Sequence, residues 1–232
     1  FGQNWRTTIN YNKVSDPDYV RDLDNSTLSS QRQTALLQLG QVDYLGEDWQ
    51  VSLQAQQFQS LADDITNTYK KLPQLTARWR GDANLSGIQP IALLQYSDFD
   101  TDANRVKGQR IYGEAGVTYP LNWRWGFLRT TAKYRSVSYD LENVPTLPSE
   151  PDDKPDAQSG VFSMDGGLLF ERATTLGGKG MVQTLEPRIF YLYSQYDEQT
   201  GQPDFDSAEL TFSYQQLFRD TRFSGHDRLD DA

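Results

Sequence analysis

Apolar and polar residues alternate along much of this 232-residue chain with a period of two. In an extended chain Trp49, Val51, Leu53 and Ala55 share one face, and Gln50, Ser52, Gln54 and Gln56 share the other. A helix would put Val51 and Gln54 on one side and bury nothing useful. The same rhythm runs through Phe162, Met164, Gly166, Leu168 and Phe170, through Leu185, Ile189, Tyr191 and Tyr193, and through Ala208, Leu210, Phe212 and Tyr214. The pattern predicts about ten strands, near 3–14, 32–45, 48–60, 72–81, 87–99, 109–119, 125–140, 158–172, 180–196 and 207–216.

The connections have a rhythm of their own. Gly46–Glu47, Asp82–Leu85, Pro120–Arg124 and Ala173–Lys179 are short. Ser15–Gln31, Leu61–Lys70, Asp100–Gly108, Leu141–Ala157 and Tyr196–Asp206 are mostly longer and rich in Asp, Pro, Ser and Thr. Bacterial transmembrane barrels alternate short periplasmic turns with longer outer loops, whereas a soluble sandwich has no reason to. The longer set is therefore expected outside the cell. Pro187 interrupts a strand pattern; lacking an N–H, it predicts a bend or a locally weakened pairing, with a bulge the less favoured form. The polar tail Leu217–Ala232 reads as a connection leading to further strands.

Composition sharpens this picture. Hydrophobic residues make up only 37%, yet aromatics reach 12%, and the mean hydropathy is −0.70. A disordered chain would be poor in aromatics. A transmembrane barrel needs apolar residues only at alternate positions, encloses a polar lumen, and carries Tyr and Trp at both membrane interfaces. No apolar run is long enough for a transmembrane helix, which says nothing against strands. The net charge of −10 argues against nucleic-acid binding. With no cysteine, neither disulfide nor thiolate metal site forms within these residues. The start FGQNWRTT carries no signal segment, as expected of a processed chain or an internal stretch.

Motifs for chemistry fail on inspection. Asp98, Asp100, Asp102 and Asn104 suggest a calcium loop, but Ala103 and Gln109 stand where Gly and Glu are needed. Asp16, Asp18, Asp22 and Asp24 read as an acidic loop held by Asx-turns. Gly177-Gly178-Lys179-Gly180 lacks the spacing of a phosphate loop and reads as a turn. His226 is the only histidine, so no His-pair metal site exists. No catalytic residues, metal ligands or cofactors are expected. Charged and amide residues on the polar phase are expected to face the lumen, where they would meet an inner plug or an amphipathic cargo: Gln50, Gln54, Arg78, Arg80, Glu186, Arg188 and Glu209. On the lipid face an Arg would cost about 2–4 kcal/mol near the midplane.

Several stretches carry a family resemblance. Val14-Ser15-Asp16-Pro17-Asp18-Tyr19, followed by Asp22 and Asp24, resembles a loop of the lipopolysaccharide-assembly outer-membrane family LptD, also called Imp or OstA. Phe170-Glu171-Arg172, Gln183-Thr184-Leu185-Glu186-Pro187-Arg188 with Tyr191-Leu192-Tyr193, and Leu217-Phe218-Arg219-Asp220 with Gly225, Asp227 and Arg228 are similar to segments of the same family, in the same order. The resemblance implies an all-β, antiparallel up-and-down transmembrane β-barrel of about 26 strands. Residues 1–232 would be part of that one barrel domain, without its N-terminal β-jellyroll and terminal gate strands. It further implies lipopolysaccharide as cargo, LptE as a lipoprotein plug, LptA as the periplasmic bridge, and the outer membrane of a Gram-negative bacterium as the location. Alternatives remain at this point: an outer-membrane porin or nutrient channel, a soluble β-sandwich such as a lectin, and, weakest, an enzyme.

Overall fold

A computed structural model describes residues 3–16, 35–61, 69–145 and 152–230. Eleven strands occur among them: β1 (Trp5–Tyr11), β2 (Ala35–Leu45), β3 (Trp49–Ser60), β4 (Lys70–Arg80), β5 (Gln89–Asp100), β6 (Lys107–Trp123), β7 (Gly126–Glu142), β8 (Asp156–Leu168), β9 (Phe170–Leu176), β10 (Lys179–Leu185) and β11 (Arg188–Ser194). Nine form one sheet in the order β1-β2-β3-β4-β5-β6-β7-β8-β11, and β9 pairs with β10. Every pairing is antiparallel.

Alternation places the two phases on opposite faces of the sheet. Cross-strand partners link Leu53 to Leu75, Ala77 to Leu94, Leu94 to Gly113, and Thr130 to Met164. Ile9, Val42, Leu53, Leu94, Ile111, Phe162 and Ile189 lie on that face and stand exposed. At the short-turn end its rim is aromatic: Trp5 packs on Tyr44, Trp49 on Trp79, and Trp123 stacks on Trp125 at 5.0 Å. The opposite face carries the polar phase, as in the paired Gln54 and Gln74 or Thr76 and Gln95.

The predicted strands 158–172 and 180–196 each divide in two. β8 with β11 and β9 with β10 belong to one long hairpin, since Gly167 opposite Arg188 and Phe170 opposite Leu185 keep a single register. The division falls at Leu169 and at Glu186–Pro187. The Leu169 amide turns away to the Trp125 carbonyl, 2.8 Å distant. Pro187 therefore marks an interruption of the ladder without a bulge, and its carbonyl still accepts from the Leu168 amide at 3.0 Å. The turn lies at Gly177–Gly178, with φ of +60° and +79°, instead of spanning 173–179. The β6–β7 turn is likewise shorter than predicted, Arg124–Trp125 alone.

The tenth predicted strand, 207–216, does not exist. Glu209 makes one isolated bridge to Phe223, and Tyr214–Phe218 forms a short 3-10 turn. Nor does the tail lead away from the sheet: residues 195–230 fold back over the polar face. The buried core lies at that contact, where Phe205 and Leu229 of the tail meet Phe99, Tyr112, Val137, Tyr139, Leu141 and Ala157. Most of the acidic loop at Asp16–Asp24 lies outside the described residues.

Candidate functional site

The folded-back segment is held on the polar face at three levels. Near the long-connection end, Arg110 of β6 donates through Nη1 to Asp206 at 2.7 Å and to Asp227 at 2.5 Å. Lys71 of β4 adds an ion pair to Asp206 at 2.6 Å, and the Tyr139 hydroxyl donates to Asp227 at 3.1 Å. Phe205 stacks on Phe99 with centroids 4.4 Å apart and planes 13° from parallel, a contact worth about 0.5–1.5 kcal/mol beyond burial. His226 stacks on Tyr112 at 4.0 Å.

At mid-height Asp220 pairs with Lys133 at 2.6 Å and Arg135 at 3.1 Å. Arg135 also donates to the Asp220 carbonyl at 2.8 Å. Glu114 completes this group on the sheet side, accepting from Lys133 at 2.7 Å and from the Tyr112 hydroxyl. Toward the short-turn end, Arg188 holds Asp165 with two hydrogen bonds of 2.7 and 2.8 Å, and its guanidinium lies 3.9 Å over the Phe218 ring.

The segment also ties to itself. One Asp227 oxygen accepts the amides of Phe205 and Asp206 at 2.9 and 2.8 Å, so this carboxylate closes a turn as well as an ion pair. Gly225 has φ +65°, and a Cβ there would lie 2.5 Å from the Asp206 carboxylate, so glycine is required. Gln199 exchanges two hydrogen bonds of 2.8 Å with the Leu229 backbone. Ser194, the last residue of β11, donates to the Asp230 carbonyl at 2.5 Å.

Burial and neighbouring charge set the protonation of the segment. Burial disfavours the Asp206 anion, yet Arg110 and Lys71 outweigh it and hold this carboxyl well below the usual range. Lys133 and Arg135 do the same for Asp220 against its burial. Burial pushes the Asp227 carboxyl up, with the charge of Asp206 adding to it and Arg110 opposing. Burial, reinforced by Arg110, depresses His226 to about 4, so it is neutral near neutral pH.

The residues expected at the site fall into separate places. Gln50, Arg78 and Arg80 line one cavity of about 330 Å³ with Glu114 and Lys133. Among the described residues, the side chains of Arg78 and Arg80 make no hydrogen bond or ion pair, although the Arg80 amide donates to the Asp48 carbonyl at 2.9 Å. Gln54 lies on the same face and donates to Gln56 at 3.3 Å. Arg188 and Glu186 border a cavity of about 560 Å³ at the base of the long hairpin, with Trp123, Phe127 and Tyr214. Glu186 itself sits in the break between β10 and β11. Glu209 is not a strand residue at all; it lies in the folded-back segment beside Leu192 and Arg222. The network around Arg110, Lys133, Arg135, Asp206, Asp220 and Asp227 was not foreseen. Its cations do occupy the polar phase of clean strands, which was the available signal. The partners lie as far as 135 positions away, where no local pattern points. Of the three aspartates in the apparent calcium loop, two are engaged by cations: Asp100 pairs with Lys107 at 3.2 Å and Asp102 with Lys70 at 2.6 Å.

A twisted antiparallel wall with one exposed apolar face, an aromatic rim and a polar face covered by its own chain belongs to the class of membrane-spanning β-structures. Within that class the match is specific. The profile of the family described as "LptD: LPS transport system D" matches residues 1–232, and the chain belongs to that family. Relatives named LPS-assembly protein LptD include one from Nitrosomonas eutropha, 38% identical over all of this chain and 32% of its own length. Others come from Alkalilimnicola ehrlichii, 36% identical over 98% of the chain and 30% of the relative, and from Pseudomonas syringae pv. tomato, 34% identical over 98% and 28%. The chain thus spans about a third of the length of the curated relatives it matches.

Proposed function

We propose that residues 1–232 are one part of an outer-membrane β-barrel domain that moves lipopolysaccharide into the outer leaflet of a Gram-negative bacterium. The carrying observation is the exposed apolar face of the nine-stranded sheet. In water such a face would be an aggregation liability; in a bilayer it is what a barrel wall requires. Among the described residues β1 and β11 each have one edge that no strand pairs, and in lipid such edges need strand partners. The greater length of the relatives supplies room for those strands and for closure. The wall's role is non-catalytic: it bounds the lumen and presents polar groups to what passes or sits inside.

In this reading the short turns and the β9–β10 ribbon face the periplasm, where the bridge protein LptA would deliver cargo. The polar face would meet an LptE plug or the cargo through Gln50, Gln54, Arg78, Arg80 and Arg188, with Glu186 at the hairpin break. Glu209, on the folded-back segment, would present to the lumen from the segment side.

Photocrosslinking in cells tests the assignment, with single probes at Gln54, Arg78 and Arg188 and with Leu53 and Leu94 as apolar-face controls. Adducts from the first set to a lipoprotein or to lipopolysaccharide, and from the controls to neither lipoprotein nor soluble protein, are expected. Absence of such adducts together with free passage of small sugars would instead assign the chain to a porin.

A further inference from the structure

We propose that residues 199–230 are an internal acidic occupant of an anion-binding stripe on the polar face, displaced when a phosphate-bearing saccharide binds there. The stripe consists of Lys71, Arg110, Lys133 and Arg135 on β4, β6 and β7, with Arg78 beside them. Within this group the sheet offers one carboxylate, Glu114, to balance the cations. The remaining counter-charge comes from the segment, through Asp206, Asp220 and Asp227. Without the segment the stripe is a cationic surface at the heart of an acidic protein.

Two features show that the segment fits the stripe incompletely. Arg110 and Arg135 are buried, at 0% and 3% exposure, yet the Nε of each has no hydrogen-bond partner. A guanidinium has five N–H donors in a planar fork, and planar carboxylates at a single edge leave some unused. A phosphate brings more acceptor oxygens and more charge to the same fork. The second feature is how the segment is built. Apart from one isolated bridge and a single 3-10 turn, its described part has no regular ladder of its own. Its attachment to the sheet runs through ion pairs, hydrogen bonds from Tyr139 and Ser194, and the packing of Phe205, His226 and Leu229, with no strand pairing. Exchange of carboxylate for phosphate on the same cations therefore replaces like with like and leaves the sheet pairing untouched.

The saccharide half of the inference follows from what surrounds the cations. Gln50 and Gln95 carry amides, and Ser97 a hydroxyl, on the same face. Gln95 already donates to Thr76 at 3.1 Å and accepts from Arg110 at 3.0 Å. Ser97 likewise donates to Gln74 at 3.1 Å, so these two groups are committed within the sheet. The Gln50 amide, beside Arg78 in the cavity, makes no side-chain hydrogen bond among the described residues and matches a sugar hydroxyl that a bare phosphate does not bring. Taking the saccharide to be the sugar portion of lipopolysaccharide rests on the function proposed above; the stripe and its occupant do not.

The test uses the full-length protein with its plug partner in lipid nanodiscs, carrying a nitroxide on Gln215→Cys, an exposed segment position. The probes are deacylated, phosphorylated core oligosaccharide, the same oligosaccharide after phosphatase treatment, and inorganic phosphate, all at matched ionic strength. Calorimetry records binding and the nitroxide spectrum records segment mobility. The phosphorylated oligosaccharide is expected to bind and to mobilise the label at a concentration about tenfold below either control. Asp206→Asn with Asp220→Asn should lower that midpoint by a further factor of about five, by weakening the internal competitor. Binding without mobilisation would overturn the proposal, as would no binding at all. Equal potency of inorganic phosphate would overturn its saccharide half. Lipopolysaccharide crosslinks at Arg78 that persist while the label stays immobile would leave the transport reading standing and remove only this inference. Should the double Asn variant not assemble, the wild-type probe series decides alone.

Discussion

Arg110 and Asp227, 117 positions apart in the chain, meet at 2.5 Å with neither side chain exposed. One residue belongs to the sheet and the other to the segment lying on it, so this pair reports directly on docking. Burying two charges is costly, and such a pair is sustained by its additional bonds, here from Tyr139, Phe205, Asp206 and Gln95. Asp227→Ala should weaken segment docking by about 1–3 kcal/mol, because it leaves the buried Tyr139 hydroxyl and the Phe205 and Asp206 amides without their acceptor while Asp206 still pairs the guanidinium. Arg110→Leu combined with Asp227→Leu should recover part of that loss. Limited proteolysis within 199–230 measures both, with heat-modifiable gel mobility confirming an intact barrel. Equal protease resistance in Asp227→Ala and wild type would mean that the hydrophobic contacts alone hold the segment.

His226 makes docking pH-dependent with a definite sign. Its folded value is lowered to about 4 from an ordinary 6.5, chiefly by burial and secondarily by Arg110 and Arg78, with Glu114 and Asp206 opposing. Below pH 6.5 the released segment takes up a proton that the docked one refuses. Docking is therefore fully stable above about pH 6.5 and weakens as pH falls toward 4, by up to about 3 kcal/mol. Asp206 and Asp220, both held low, add a further loss only as pH falls through and below the ordinary carboxylate range. His226→Phe keeps a ring on Tyr112 and removes the first loss. The nitroxide on residue 215 should loosen between pH 7 and 5 in wild type and stay fixed in the Phe variant.

Legibility in the sequence followed the range over which each feature is encoded. Trp49–Gln56 was readable because alternation is local and the facing of each residue is fixed by its neighbours. Ala208–Tyr214 shows the same alternation and is not a strand. There the pattern was overridden by ion pairs at Asp206 and Asp220 that hold the chain against β4, β6 and β7. The polar phase was also less polar than expected. Phe99, Val137 and Leu141 share it and form the core with the segment, a role visible only once residue 205 is known to return. Among the expected site residues, Gln50, Arg78 and Arg80 line one cavity, a grouping that follows from strand pairing, which brings Gln50 opposite Arg78. Glu209 was misplaced along with its strand.

The β9–β10 ribbon extends past the Arg124–Trp125 turn, and among the described residues no strand pairs with it on either side. A lone two-stranded ribbon is marginal in water. It relies on its turn, where Gly177 and Gly178 both occupy positive φ, as a two-residue hairpin of this twist requires. Gly178→Val should cost about 1–2 kcal/mol locally, since a β-branched residue is strained in that region. Hydrogen exchange should rise across 170–185 and stay unchanged across 156–168 and 188–194, because those strands are held in the large sheet. Loss of protection in β8 and β11 as well would show that the interruption at Pro187 does not insulate them.

The apolar face supplies the sharpest contrast between a membrane wall and a soluble sheet. Leu94 lies in the middle of β5, 55% exposed, between Ala77 and Gly113 on neighbouring strands. Gln95, the next residue, points to the other face and is buried under the segment network. In a bilayer, Leu94→Arg places a charge in hydrocarbon and should cost about 2–4 kcal/mol, while in water the same change at an exposed site would cost almost nothing. The effect should also depend on depth. Trp79→Arg, at the aromatic rim, should cost about 0–1 kcal/mol, because the guanidinium reaches the headgroup region. Unfolding titrations in lipid vesicles give both values. A Leu94→Arg variant as stable as wild type would show that this face does not meet lipid, and the membrane-wall reading would fall with it.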